Sequence, residues 1–324
     1  MTVKITKPEI NVREKISELD KPSGVAGQAM LAAETPQEQF NLIGAGRRNL
    51  TINGDFTVNQ RGVLPVTNPS GGTYFTDRWL IGSTSSNLVI SNETGVYIND
   101  NNTKVKTLKA LFSGSGGFDI YQIYEDWEYL SNKIITISFW YRTNIDNCVI
   151  RQWSTMSPAI IRTTNGEWKK FTTTFTLGTL ISGGRAANTA TLGIWTSGAT
   201  ISNGSYFEFA QFQLEVGKVA TPFEHRSYGE ELAACQRYYQ RLYYGAGANN
   251  AGYSNSYGTW HGTTVPMRAA PAVSGTMMDY PGGQTNRQIF NSTVNGSYTS
   301  VRAYIPGQAN QNYIEGQMQL EAEL

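Results

Sequence analysis

From Asn49 onward the chain alternates apolar and polar residues in short runs. Between Ile134 and Arg142 (IITISFWYR), Ile135, Ile137, Phe139 and Tyr141 share one face, while Ile134, Thr136, Ser138, Trp140 and Arg142 share the other. A period of two with one apolar face is what a half-buried strand requires. The pattern returns at Trp168–Leu177 with Phe171 and Phe175 inward, at Ala190–Trp195 with Leu192 and Ile194 inward, and at Tyr206–Glu215. Asn165-Gly166, Gly183-Gly184 and Asn203-Gly204 separate these runs, and such dipeptides supply the positive φ angles of tight turns. Strands at this spacing predict a β-sandwich. Trp79, in the segment TDRW, is expected in its core.

Two stretches depart from the alternation. Residues 1–46 are rich in Lys, Glu, Pro and Ala, contain Phe40 as their only aromatic residue, and show helical patterns over Val12–Leu19 and Gly27–Glu34, punctuated by Pro22 and Pro36. So little apolar surface cannot hold a core of its own. This predicts an arm that orders on a partner, with Pro8, Ile10, Val12, Leu19, Leu31 and Phe40 as its anchor residues. The second departure begins at Ser227, which with Glu230 forms a capping-box pattern. A helix over Tyr228–Leu242 is expected, packing Leu232, Cys235 and Tyr239 on a sheet. Residues 243–324 then return to strands and Gly/Asn-rich turns. The expected organisation is an all-β chain: an arm over 1–46, a sandwich over 47–226, and over 227–324 a short helix with a second small β-rich domain.

Composition narrows the function classes. The 26 Lys and Arg against 25 Asp and Glu give a net charge of +1, and 16% of the 324 residues are charged. A nucleic-acid partner, which needs a basic surface, is not indicated. Two cysteines, Cys148 and Cys235, cannot make a disulfide framework or a zinc site and are expected as buried small hydrophobes. The first residues lack an apolar core of signal-peptide length, and no run of 18 apolar residues occurs. The expectation is a soluble chain made in the cytoplasm, without membrane insertion.

Catalytic patterns are thin. The one acidic cluster, Glu125, Asp126 and Glu128 in IYEDWEYL, reads as an exposed loop more readily than as a Ca²⁺ site or a glycosidase carboxylate pair. His225 and His261 have no nucleophile elbow near them, and the Gly-rich stretch Ser113–Gly117 runs into Phe118 rather than the Lys-Ser/Thr of a phosphate loop. No enzyme, cofactor or metal is expected.

The outward aromatics carry more information. Trp140, two residues from Arg142, and Trp195 both oppose the inward sets of their strands, and Trp153 on the next predicted strand extends the series. Tyr253, Tyr257 and Trp260 sit among Asn, Ser and Gly in NNAGYSNSYGTWHG. Aromatic rings beside polar side chains are what a sugar-binding surface contains. The tryptophans read more readily as an interface covered by a neighbouring domain or subunit, and the aromatics of the last module would equally stack between subunits.

Three blocks, NLTINGDFTVNQRG (Asn49–Gly62), YFTDRW (Tyr74–Trp79) and the long segment Phe212–Arg241, resemble tail-fibre-like and minor structural proteins of tailed bacteriophages. VPMRAAPAVS (Val265–Ser274) and QMQLEAEL (Gln317–Leu324) resemble the module that follows in such proteins, and Lys7–Phe40 resembles the N-terminal arms of podovirus-like structural proteins. Separately, IYQIYEDW, SFWYR and YFEFAQFQLE resemble carbohydrate-binding modules of the jelly-roll kind. The resemblance implies a virion location, a jelly-roll sandwich and a homotrimer. The arm would dock on other tail or capsid proteins and the projecting part would meet host surface polysaccharide, as in a tail fibre or spike. The alternative is a purely structural head-decoration or tail-adaptor protein. A glycan-degrading spike would need a repeated β-helix pattern, which is not seen.

Overall fold

A computed structural model of the chain describes Ala32 and residues 48–82, 87–98, 104–125, 127–152, 155–178, 190–196, 200–247, 256–262, 265–269, 271–278, 288–294, 298–304 and 313–323. The chain divides into two compact units, Met1–Arg48 and Asn49–Leu324. The expected anchors Pro8, Ile10, Val12, Leu19, Leu31 and Phe40 lie outside the described residues.

The second unit is built on two six-stranded sheets. Sheet 1 runs in the order β1 (Val66–Thr67), β4 (Leu88–Tyr97), β5 (Lys104–Phe112), β12 (Tyr206–Val216), β7 (Ile134–Thr143), β10 (Lys169–Thr176). Sheet 2 runs β2 (Tyr74–Thr76), β3 (Trp79–Ile81), β6 (Asp119–Tyr124), β11 (Ala190–Thr196), β8 (Cys148–Gln152), β9 (Thr155–Ile161). Neighbours pair antiparallel, and from β5 to β8 and again from β9 to β12 each successive strand lies in the other sheet. Such crossings make the all-β sandwich a jelly roll.

Aromatic packing between the sheets explains why these strands hold together. Ile135, Ile137, Phe139 and Tyr141 of β7 and Phe207, Phe209, Phe212 and Leu214 of β12 point inward, against Ile120, Ile150, Leu192 and Ile194 of sheet 2. Trp79 is fully buried, 5.6 Å from the Phe209 ring and 5.3 Å from Phe212, and its indole Nε1–H donates to the Asn53 carbonyl at 2.9 Å. Each such buried apolar side chain contributes about 1.5–3 kcal/mol. Between the runs, Asn165 (φ 55°) and Gly166 (φ 87°) form a type I′ turn closed by Glu167 N–H to Thr164 O at 3.1 Å.

A bulge in β12 changes its partner. Tyr206–Phe209 pair with Leu108–Leu111 of β5, but the register shifts between Ala210 and Gln213, where Gln211 takes φ 53°. Beyond the bulge, residues 49–54 occupy the vacated edge: Leu50 N–H donates to Leu214 O and Phe212 N–H to Gly54 O, both at 2.9 Å. An inserted residue that bends a strand and ends one pairing is the usual role of a bulge.

Helix α1 (Trp127–Leu130) precedes β7, and α2 (Tyr228–Gln236) follows the sandwich. Both halves of the Ser227–Glu230 capping box form, yet α2 stops six residues short of the expected Leu242. From Tyr239 the chain is strand β13 (Tyr239–Gly247), laddered along its whole length with β18 (Tyr313–Glu321). The run YYQRLYY favours a pleated surface, and a partner strand about 70 residues away is invisible to helical periodicity. Of the expected stripe, Cys235 is buried from the helix and Tyr239 from the strand. Strands β13, β18 and β15 (Ala272–Met278) form one small sheet, and β14 (Ser256–Gly262), β17 (Tyr298–Tyr304) and β16 (Gln288–Val294) another.

A buried polar junction ties the first of these small sheets to sheet 2. Tyr238 packs on Leu80 and Ile123. The Arg78 guanidinium lies 3.5 Å below the Tyr238 ring, donates to the Ile123 carbonyl, and pairs with Glu323. Arg61 pairs with Glu323 at 2.9 Å and Glu321 at 3.2 Å, and Glu231 of α2 accepts from Asn53 N–H and Arg226. The three blocks that resemble phage structural proteins therefore meet at one place. There, Asn53 links the Glu231 carboxylate to the Asp77 carbonyl, Arg226 pairs with Glu231, and Arg78 pairs with Glu323.

Candidate functional site

Glu125, expected on an exposed loop, belongs to this junction instead. It is half-buried, accepts from Arg268 Nε at 2.6 Å and faces Arg237 at 3.4 Å. Burial alone would raise its pKa; hydrogen bonds from Arg268 and Tyr238 and the charges of Arg237 and Arg268 hold it below the ordinary 4.5. A carboxylate so paired is a poor general acid. Asp126 lies outside the described residues, and Glu128 is exposed on α1. Cys148 and Cys235 are free and buried, with burial pushing the Cys148 thiol up to about 12 and Cys235 also upward. Neither is poised as a nucleophile. His225 packs edge-on against Phe223 at 4.9 Å. Among the described residues, no group of three or more His, Cys, Asp or Glu side chains could hold a metal ion, and no helix is long and apolar enough to cross a membrane.

The outward face of sheet 1 is where exposed aromatic and charged side chains converge. The antiparallel register places Ser91 of β4, Lys109 of β5, Glu208 of β12 and Arg142 of β7 side by side across four strands. Two residues along, Ala210 of β12, Trp140 of β7 and Lys170 of β10 form a parallel row. Trp168, just before β10, completes the first row, with the Arg142 guanidinium 5.1 Å from its ring. Trp140 and Trp168 are both half-buried, seated on a small cluster of Ile98, Val105 and Ala210 that anchors one side of each ring.

Electrostatics hold Arg142 in place. Glu208 is fully buried and accepts from Thr107 Oγ1 at 2.6 Å through one carboxylate oxygen and from Arg142 Nε at 2.8 Å through the other. A buried carboxylate left without such partners is costly. The Arg142 side chain is 32% exposed, and its Nη groups have no acceptor among the described residues. Among the described residues the guanidinium is thus clamped at Nε and open at its fork. Lys109 extends toward the Tyr206 ring at 5.9 Å.

The remainder of this face is closed by the loop after β12. Gln213 Nε2 donates to Thr221 Oγ1 at 3.2 Å, Glu224 N–H to Gln213 Oε1 at 2.8 Å, and Thr136 Oγ1 to the Gly217 carbonyl at 2.8 Å. Among the described residues, the half around Trp140, Arg142 and Trp168 stays open.

Trp195 also points out of the core, but from sheet 2. The Arg151 guanidinium lies 4.2 Å from its ring, and Val149 and Asp119 flank it across the ladder. Burial raises the Asp119 pKa against the lowering charge of Arg151. Trp140 and Trp195 therefore lie on opposite outer faces of the sandwich and cannot form one platform. Alternation reveals which side of its own strand a residue takes, not which sheet carries that strand. Tyr257 and Trp260 fall on β14 opposite Ala303 and Ser300 of β17, while Trp153 and Tyr253 lie outside the described residues. Trp168, Lys109, Lys170, Glu208 and Thr107 were not legible as members of this site.

A cavity of about 320 Å³ lies elsewhere, lined by Leu50, Arg78, Tyr124, Glu125, Tyr129 and Tyr238 among others. It borders the buried junction.

No family model matches the chain, and no curated protein matches it. Among solved structures, it is similar to a family 61 carbohydrate-binding module in complex with β-1,4-galactotriose, at 11% identity over 53% of this chain and all of that one, with a TM-score of 0.32. It is similar to the enzymatically active domain of tailspike protein 4 of bacteriophage CBA120, at 14% identity over 49% of this chain and 22% of that one, TM-score 0.32. It is also similar to the family 11 carbohydrate-binding module of the cellulosomal cellulase Lic26A-Cel5E of Clostridium thermocellum, at 16% identity over 54% of this chain and 99% of that one, TM-score 0.30.

Proposed function

We propose that this chain is a non-enzymatic virion protein of a tailed bacteriophage, a homotrimeric tail-fibre or spike component. Residues 1–46 dock it on other tail or capsid proteins, and the open half of sheet 1's outer face contacts glycans on the host surface. The virion assignment rests on the ordered blocks over Asn49–Gly62, Tyr74–Trp79 and Phe212–Arg241. The glycan assignment rests on one observation: two half-exposed indoles, Trp140 and Trp168, flank a guanidinium whose fork is open. Rings seated on an apolar cluster present fixed faces to sugar C–H groups, and the Arg142 fork supplies directed hydrogen bonds. One such site is weak, and several copies on a particle raise its effective concentration.

Binding of the intact chain to an array of bacterial surface polysaccharides tests this. Trp140→Ala and Trp168→Ala are each expected to weaken binding about tenfold or more, or about 1.4 kcal/mol, with unchanged circular dichroism, while Trp195→Ala binds like wild type. Binding to no polysaccharide of the array would remove the glycan assignment and leave a head-decoration or tail-adaptor role, and unchanged affinity in both sheet-1 variants would take the site off sheet 1.

A further inference from the structure

Resting on the glycan-contact reading, we infer that the ligand is an acidic polysaccharide, one carrying carboxylates along its chain, rather than a neutral glucan or xylan. The argument is a count of donors and acceptors on the open half of sheet 1.

Three side chains there offer only donors: Lys109, Arg142 through its Nη groups, and Lys170. The one carboxylate among them, Glu208, is fully buried with both oxygens taken by Thr107 and Arg142. A neutral sugar hydroxyl both donates and accepts, and a face that receives it well supplies both kinds of group. This face sets three cationic donors around two aromatic rings, against the hydroxyls of Ser91 and Thr172 and, at the margin, Glu93, while the Glu208 carboxylate is sealed beneath them. A ligand rich in acceptors and poor in donors complements it, and an ionised carboxylate is acceptor-only with a planar pair of oxygens that fits a guanidinium fork.

Charge and spacing point the same way. Three cations against Glu208 leave a surplus of two positive charges at the rings. Glu93, exposed on β4 opposite Thr107, lies at the margin, and Glu167 and Lys169 beside Trp168 offset each other. The whole chain, by contrast, carries a net charge of only +1. Lys109 and Arg142 are separated by one intervening strand, about 10 Å at the usual strand spacing. Lys170 lies one strand beyond Trp140 in the neighbouring row. One polymer chain crossing the strands would pass each cation in turn, with a sugar ring on Trp140 or Trp168 between them.

The probes are polygalacturonate, alginate, hyaluronate and polysialic acid, each paired with its carboxyl-reduced derivative, together with dextran sulfate and a neutral xylan. They are titrated against the intact chain at about 50 mM and about 300 mM NaCl, between which the screening length falls from about 14 Å to about 6 Å. Binding to at least one acidic polymer is expected, falling about tenfold on carboxyl reduction and weakening at the higher salt. Arg142 also neutralises Glu208, so Arg142→Gln can disturb folding. Lys109→Gln and Lys170→Gln do not have that role and are the deciding variants, each expected to lose about threefold and together about tenfold. Equal binding to native and carboxyl-reduced polymers, or to xylan, with loss in Trp140→Ala, overturns the acidic ligand and leaves the glycan site standing. Binding by none of the acidic polymers, equal binding of dextran sulfate, or affinity indifferent to both lysine variants also overturns it. Acidic-polymer binding indifferent to Trp140→Ala as well removes both readings.

Discussion

Glu323→Ala is expected to destabilise the folded chain by about 3–5 kcal/mol, the largest loss anticipated for any single polar side chain here. Glu323 is the counter-ion of Arg78, whose side chain is 2% exposed, and it also holds Arg61. Removing the carboxylate leaves the buried Arg78 guanidinium without its counter-ion, with the Ile123 carbonyl and the Tyr238 ring among its remaining partners. An uncompensated buried charge costs far more than the pair contributes. Urea and thermal unfolding of the intact variant should show a fall in Tm of the order of 10 °C. The exposed pair Arg162–Asp146, at 3.1 Å with side chains 58% and 49% exposed, provides the contrast. Arg162→Ala should stay within about 1 kcal/mol of wild type. The double variant Arg78→Met/Glu323→Leu should recover much of the loss, because replacing a buried pair with apolar residues is often neutral or better. A loss below about 1 kcal/mol for Glu323→Ala would mean that Arg78 reaches water.

Gly54→Ala is expected to cost about 3 kcal/mol, at the upper end for overpacking. A methyl group at Gly54 would stand 2.2 Å from the Phe212 carbonyl oxygen and 3.3 Å from its carbon. Those atoms are backbone, held by the Phe212 N–H bond to the Gly54 carbonyl, and the Phe212 side chain is fully buried between Trp79 and Phe139. Neither segment can withdraw without opening the aromatic core. Gly204 separates packing from backbone strain: it has φ +81° but nothing within 4 Å of an added Cβ. Gly204→Ala should therefore cost only about 1–2 kcal/mol of left-handed strain. Equal losses in the two variants, measured by equilibrium unfolding, would show that the segment 49–54 is not wedged against β12.

Local features of the sandwich were legible because they depend on neighbours in sequence. The period-two run Ile134–Arg142, the Asn165-Gly166 turn and the Ser227 capping box each form where the residues indicate. Features set by distant pairing were not. Trp168 reads as the first residue of an alternating run; only the β7–β10 register brings it over Arg142. Glu208 reads as an outward polar residue in an apolar strand, yet Arg142 and Thr107 from neighbouring strands bury it. The end of α2 depended on a ladder with β18, and the pairing of Glu125 depended on Arg268, 143 residues away. Gln211 carries no local signal for φ 53°; the bulge exists because residues 49–54 require the edge of β12.

The glycan-contacting face can be tested directly by hydroxyl-radical footprinting of the intact chain with and without a bound acidic polysaccharide, reading oxidation at individual tryptophans. Trp140 and Trp168 on sheet 1 should be protected by the bound polymer, while Trp195 on sheet 2 oxidises as it does in the free protein. Protection of Trp195 with Trp140 and Trp168 unchanged would contradict the assignment of the binding face to sheet 1.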